Sequence, residues 1–167
     1  MISAQTSQEK RIEVDRMRFT KNKISSRLVI LAILFNAVYF ISIYKSDRGS
    51  YYYNSLTGLS IIYNLVFMLL AFLSSEGVKS RDPHYPPLLA AIGLIQIARI
   101  FILPLRAHQA MIKLEGAMVP AMGDAQFALV IICLVLSALC CMAAAVTAFI
   151  QDRRLAEHLR FMGVKTV

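Results

Sequence analysis

The residue that most constrains this chain is Arg99. It stands in the eighteen-residue run 88–105, LLAAIGLIQIARIFILPL, where only Gln96 and Arg99 are polar. Three further apolar runs, 28–44, 56–73 and 127–150, accompany it, and Arg99 is the one charged residue in any of the four. A bilayer is crossed by about 17–25 predominantly apolar residues as a helix. A charge at the centre of such a helix costs about 2.5–3.5 kcal/mol on insertion scales. The fold must therefore supply Arg99 with an environment that ordinary lipid does not.

Composition agrees with a membrane chain. Of 167 residues, 57% are hydrophobic and 17% charged, against about 25% charged in soluble domains. The connections are too short for a separate soluble domain. The expected fold is all-α, a four-helix transmembrane bundle. A basic tail, 1–24, precedes the membrane domain, 25–150, and a segment 151–167 follows. In that last segment Leu155, Leu159 and Met162 share a face, so an amphipathic extension of the fourth helix is expected along the membrane surface. The charged start is too long, and lacks the small-residue cleavage site, for a signal peptide.

Lysine and arginine orient the bundle. Seven lie in residues 1–27, two in loop 74–87 and four after residue 150, making thirteen; loops 45–55 and 106–126 carry two each. Basic residues collect on the cytoplasmic side. Both termini are expected in the cytoplasm, and the protein in the plasma (cytoplasmic) membrane with lipid as a partner. The net charge of +8 needs no nucleic acid to explain it, because the basic segments lack interleaved aromatics.

The chemistry of an enzyme is missing. No Asp or Glu lies in any apolar run, whereas intramembrane proton and cation relays use carboxylates. His84, His108 and His158 fall in no ligand motif, and no nucleophile elbow, zinc-binding helix or phosphate loop occurs. Cys133, Cys140 and Cys141 all lie in the fourth run, outside any loop that would hold a disulfide framework. Neither a metal nor a cofactor is expected.

What remains is polar residues at matching depth. At about 1.5 Å per residue, Asn36 lies as far from its cytoplasmic edge as Gln96, and Tyr39 and Asn64 fall level with Arg99. These five are the candidate ligand- or partner-binding residues. In the second run Thr57, Ser60, Asn64, Met68 and Ala71 share one small or polar face. In the fourth, Ser137, Cys141 and Ala145, then Cys140, Ala144 and Ala148, form two small-xxx-small rows. Such rows let helix backbones approach closely. Loop three, mildly apolar, is expected to lie flat on the membrane as a short amphipathic turn.

A guanidinium offers five donors in a rigid fork, more than Asn64 and Tyr39 fill. An external anionic or carbonyl-rich partner is therefore expected, the alternative being that Asn64, Tyr39, Gln96 and backbone carbonyls satisfy Arg99 within the chain. The leading expectation is a small accessory or assembly subunit of a larger membrane complex, docking through the small-residue faces and Arg99 onto another subunit or itself. The alternative is an oligomeric carrier or channel that uses Arg99 for an anionic or amphipathic solute.

Overall fold

The computed structural model describes residues 21–44, 55–114, 116–120 and 122–161. Its elements are α1 (Lys23–Tyr44), α2 (Ser55–Lys79), α3 (Tyr85–Arg99), α4 (Pro104–Gln109), a hairpin of β1 (Met111–Leu114) and β2 (Ala117–Pro120), and α5 (Asp124–Phe161). Four helical stretches are long and apolar enough to cross a membrane: Lys23–Ile43, Gly58–Lys79, Tyr85–Gln109 and Asp124–His158. The tyrosines 51–53, most of the basic tail and the end of the C-terminal segment lie outside the described residues.

The four long helices form a closed ring. α5 packs on α1 and on α3, α1 on α2, and α2 on α3, the last being the loosest seam. Each helix buries a line of residues that alternates steps of three and four. On α1 the line is Ser25, Val29, Ala32, Asn36, Tyr39 and Ile43; on α5 it is Val130, Leu134, Ser137, Cys141, Ala144 and Ala148. α2 continues the pattern with Asn64, Phe67, Ala71, Ser74 and Val78, and α3 with Leu89, Ile92, Gln96 and Arg99. A repeat averaging 3.5 residues is the one that keeps a seam facing its neighbours in a left-handed bundle. The two small-residue rows expected on α5 thus merge into one seam, with Cys140 half-buried at its edge.

The seams divide the interior into layers. Two apolar clusters, one around Phe67, Leu89 and Ala144 and one around Tyr39, Met122 and Leu134, are separate cores. Asn36, Gln96, Arg99 and Ser137 lie between them along the helices. Close approach is built in where α3 meets α5: a Cβ on Gly93 would stand 3.1 Å from Met142 Cγ and 3.3 Å from the Ala138 carbonyl.

The third span departs from a single straight helix over 88–105. Pro104 has no N–H and its ring clashes with the carbonyl four residues back. The Ile100 carbonyl instead accepts from Leu105 N at 3.2 Å. Just before it, Ile100, Phe101 and Ile102 donate three residues back, to Ile97, Ala98 and Arg99, at 3.1–3.2 Å. This tightened turn ends α3 at Arg99, and α4 restarts at Pro104.

Two loops also differ from expectation. Loop three is a β-hairpin, with Leu114 paired to Ala117 and Met111 to Pro120, and Gly116 takes φ +88° at its turn. α2 runs on to Lys79, six residues into the expected loop 74–87, and Gly77 lies inside it. Its bare Cα receives the Tyr85 ring, where any Cβ would collide. α2 stops in a Schellman arrangement, with Asp82 N donating to Gly77 O and Arg81 N to Val78 O, both at 3.1 Å. Arg81, at φ +60°, occupies the left-handed position where glycine is usual.

Candidate functional site

Arg99 ends α3 facing the centre of the bundle and is 6% exposed. From Tyr85 it lies about 21 Å along the helix at 1.5 Å per residue, roughly midway through the stretch that ends at Gln109. Its Nη2 donates to Asn64 Oδ1 on α2 at 2.9 Å. Its Nη1 donates to Gln96 Oε1, one turn earlier, at 2.8 Å, and more weakly to Asn36 Oδ1 on α1 at 3.4 Å. Gln96 Nε2 donates to Asn36 Oδ1 at 3.0 Å and to Ser137 Oγ on α5 at 3.3 Å. Ser137 Oγ donates in turn to the Ala32 carbonyl at 3.0 Å. One connected set of side chains therefore ties all four spans together.

The guanidinium is also bracketed by aromatic faces. Its Cζ lies 4.8 Å from the Tyr39 ring centroid and 4.4 Å from that of Tyr63. A cation over an aromatic ring is worth about 0.5–1 kcal/mol when exposed and about 2 or more when desolvated. Hydrogen bonds to a charged group contribute about 1.5–3 kcal/mol each. The two short bonds alone are of the size needed to offset an insertion cost of about 2.5–3.5 kcal/mol. The negative end of the α3 dipole acts in the same sense on a cation in the last turn. The break at Pro104 is what puts that helix end beside Arg99.

The structure brings the five candidate residues into this one cluster. Asn36 meets Gln96, and Asn64 and Tyr39 meet Arg99, the pairs that helical rise sets at equal depth. Tyr63 and Ser137 complete it. Tyr63 was not among the candidates, and only its place one turn from Ser60 on α2 marks it in the sequence. Besides Asn64 and Tyr39, the fork meets acceptors on Gln96 and Asn36 and the face of Tyr63. Ser137, Cys141, Ala144, Ala145 and Ala148, the small residues of α5, are buried inside the chain itself.

Donors and acceptors are unevenly matched around Asn36. Two donors converge on its Oδ1, which fixes the amide orientation. Its Nδ2 is then buried with no acceptor among the described residues. Asn64 Nδ2, by contrast, donates to the Ser60 carbonyl at 2.9 Å.

A second polar layer escaped the sequence reading. At the end of the bundle where α1 begins, Ser25 Oγ pairs with Thr147 Oγ1 at 2.7 Å and Ser26 Oγ with Ser75 Oγ at 2.8 Å. Asn22 caps α1, its Oδ1 accepting from Ser25 N at 3.1 Å, and its own N donates to Lys79 O at 3.2 Å. The only sequence signal is the serine pairs 25–26 and 74–75 at helix ends. Among the described residues no three His, Cys, Asp or Glu come together as a metal site.

No family model, curated protein or solved structure matches this chain.

Proposed function

We propose that this is a multi-pass protein of the cytoplasmic membrane, both termini inside, that serves as a small accessory or assembly subunit of a larger membrane complex and is not an enzyme. The observation that carries the reading is the Arg99 cluster. Its acceptors come from α1, α2 and α3 and hold the one intramembrane charge inside the bundle, so the polar interior sets the arrangement of the helices. The outer faces are then fixed in shape. They are broadly apolar, with Ile41, Leu59, Leu69, Leu94 and Leu139 all more than half exposed. In this reading a partner subunit docks on those outer faces, because the small rows and Arg99 are engaged within the chain.

The second reading, an oligomeric carrier or channel for an anionic or amphipathic solute, draws on a different observation. Asn36 Nδ2 is a buried donor without an acceptor, beside a guanidinium and one turn from a helix break. An acceptor-rich solute would complete it.

Purification from native membranes in mild detergent, followed by mass spectrometry, separates the two. A stoichiometric second protein supports the accessory subunit. A homo-oligomer alone, whose proteoliposomes pass anions only while Arg99 and Asn36 are intact, overturns it in favour of the carrier.

A further inference from the structure

The end of α2 and the turn after it enclose a groove of about 390 Å³, lined by Lys21, Leu73, Glu76, Gly77, Lys79, Ser80, Asp82 and Tyr85. Its size lies in the range of about 300–1,000 Å³ usual for small-molecule sites. Gly77 and the Tyr85 ring, which occupies the place a Cβ on Gly77 would take, form part of its wall. It sits at a boundary: Leu73, half exposed, ends the apolar run 56–73, and charged residues begin three positions later.

The charges of the lining cancel, two lysines against two carboxylates, and they are arranged by the helix end. Lys79 Nζ donates to both Glu76 carboxylate oxygens, at 2.8 and 3.0 Å. Asp82 Oδ1 accepts from His84 N at 3.1 Å, which holds its carboxylate against the turn. The hydroxyl of Ser80 bonds back to the Glu76 and Gly77 carbonyls. The groove thus sets Lys21 toward an anion and Asp82 toward a cation, beside the Lys79–Glu76 ion pair, whose two charges a zwitterion can share. Leu73 and the Tyr85 ring form an apolar edge.

We infer that this groove binds the headgroup of a zwitterionic phospholipid carrying a primary ammonium, phosphatidylethanolamine, with its glycerol and first acyl carbons along Leu73. The phosphate meets the lysines and the ammonium meets the carboxylates. A lining of zero net charge does not favour an anionic headgroup, and the Glu76 and Asp82 carboxylates accept from ammonium N–H groups that a quaternary nitrogen lacks. The inference rests on the membrane reading above and is independent of the choice between subunit and carrier.

The test uses the full chain reconstituted in vesicles of equal parts phosphatidylethanolamine, phosphatidylglycerol and phosphatidylcholine. Extraction into mild detergent and native mass spectrometry then count the retained lipid. One phosphatidylethanolamine per chain, several-fold over the other two, is the expected result. Asp82→Asn keeps the bond from His84 N and gives the lining a net positive charge, so retention should shift to phosphatidylglycerol. Lys79→Gln should lower phosphatidylethanolamine retention several-fold. Thermal unfolding of each variant confirms that the bundle is intact. Retention of no lipid, retention without preference, or variants that behave as wild type overturn the inference. Alkaline carbonate washing distinguishes the two failures. A chain stripped from the vesicles defeats the membrane reading and the groove together; one that stays embedded without the preference defeats the groove alone.

Discussion

Arg99 on α3 donates to Asn64 on α2 at 2.9 Å, across the seam where the two helices touch least. The other seams are lined with small residues and pack closely. This one depends on a charge-assisted bond and on the Tyr63 face 4.4 Å from the same guanidinium. Removing an acceptor while the charge remains buried is costly, because the guanidinium keeps its proton at any accessible pH. Asn64→Leu should therefore destabilise the bundle more than Arg99→Leu, which removes the charge together with its bonds. Reversible unfolding in a detergent titration measures both.

Glycine positions separate packing from propensity. A Gly→Ala change within a helix ordinarily gains roughly 0.5–1 kcal/mol. Gly58→Ala should show that gain, since nothing lies within 4 Å of the added methyl. Gly77→Ala should instead destabilise, because the new Cβ meets the Tyr85 ring. Tyr85→Ala in the same chain should remove most of the penalty. Thermal midpoints of the three variants test this; equal effects at Gly58 and Gly77 would contradict the packing.

On α5, Ala144 and Cys141 are fully buried. Ala144→Leu and Cys141→Leu should each lower stability by about 1–3 kcal/mol, the usual cost of overpacking. Val146→Leu, on an exposed position of the same helix, should change little. Unfolding midpoints in detergent decide it.

Arg81 is the only residue other than glycine with positive φ among the described residues. The left-handed conformation costs an L-residue about 1–2 kcal/mol. Arg81→Gly should raise stability by up to about that amount, less whatever contacts the arginine side chain makes. An unchanged or lower midpoint would mean that those contacts outweigh the backbone strain.

The proposed orientation places 45–55 and 106–126 outside. Single cysteines at Ser50 and Ala121 should react with an impermeant thiol reagent in intact cells, and one at Ser80 should not. Labelling at Ser80 alone would reverse the topology.

Much of this architecture is legible in the chain because lipid-spanning helices announce themselves by length and apolarity. The polar cluster is legible for a related reason: helical rise converts sequence position into depth, which set Asn36 level with Gln96, and Asn64 and Tyr39 level with Arg99. Azimuth is harder to read. In a helix apolar on all sides, no hydrophobic stripe marks the inward face. The face expected on α2, Thr57, Ser60, Asn64, Met68 and Ala71, is therefore only partly the buried one, which runs through Asn64, Phe67 and Ala71. Tyr63 was hidden by the same degeneracy. Pro104 was visible, but at the edge of an apolar run it reads as a terminus; only the Ile100–Leu105 hydrogen bond identifies a kink with chain continuing beyond. The hairpin at 111–120 was masked by apolar residues that resemble an interfacial turn, although Gly116 was its one local signal.

The central claim is that the bundle's own helices hold Arg99 and that this hold fixes the helix arrangement. A double-mutant cycle tests it most directly, with Arg99→Leu, Asn64→Leu and the double variant unfolded under identical detergent conditions. The account predicts a favourable coupling of about 1–2 kcal/mol, near the upper end for side-chain hydrogen bonds between membrane helices. It also predicts that the double variant is no less stable than Asn64→Leu alone. Additive effects, with no coupling between the two positions, would contradict it.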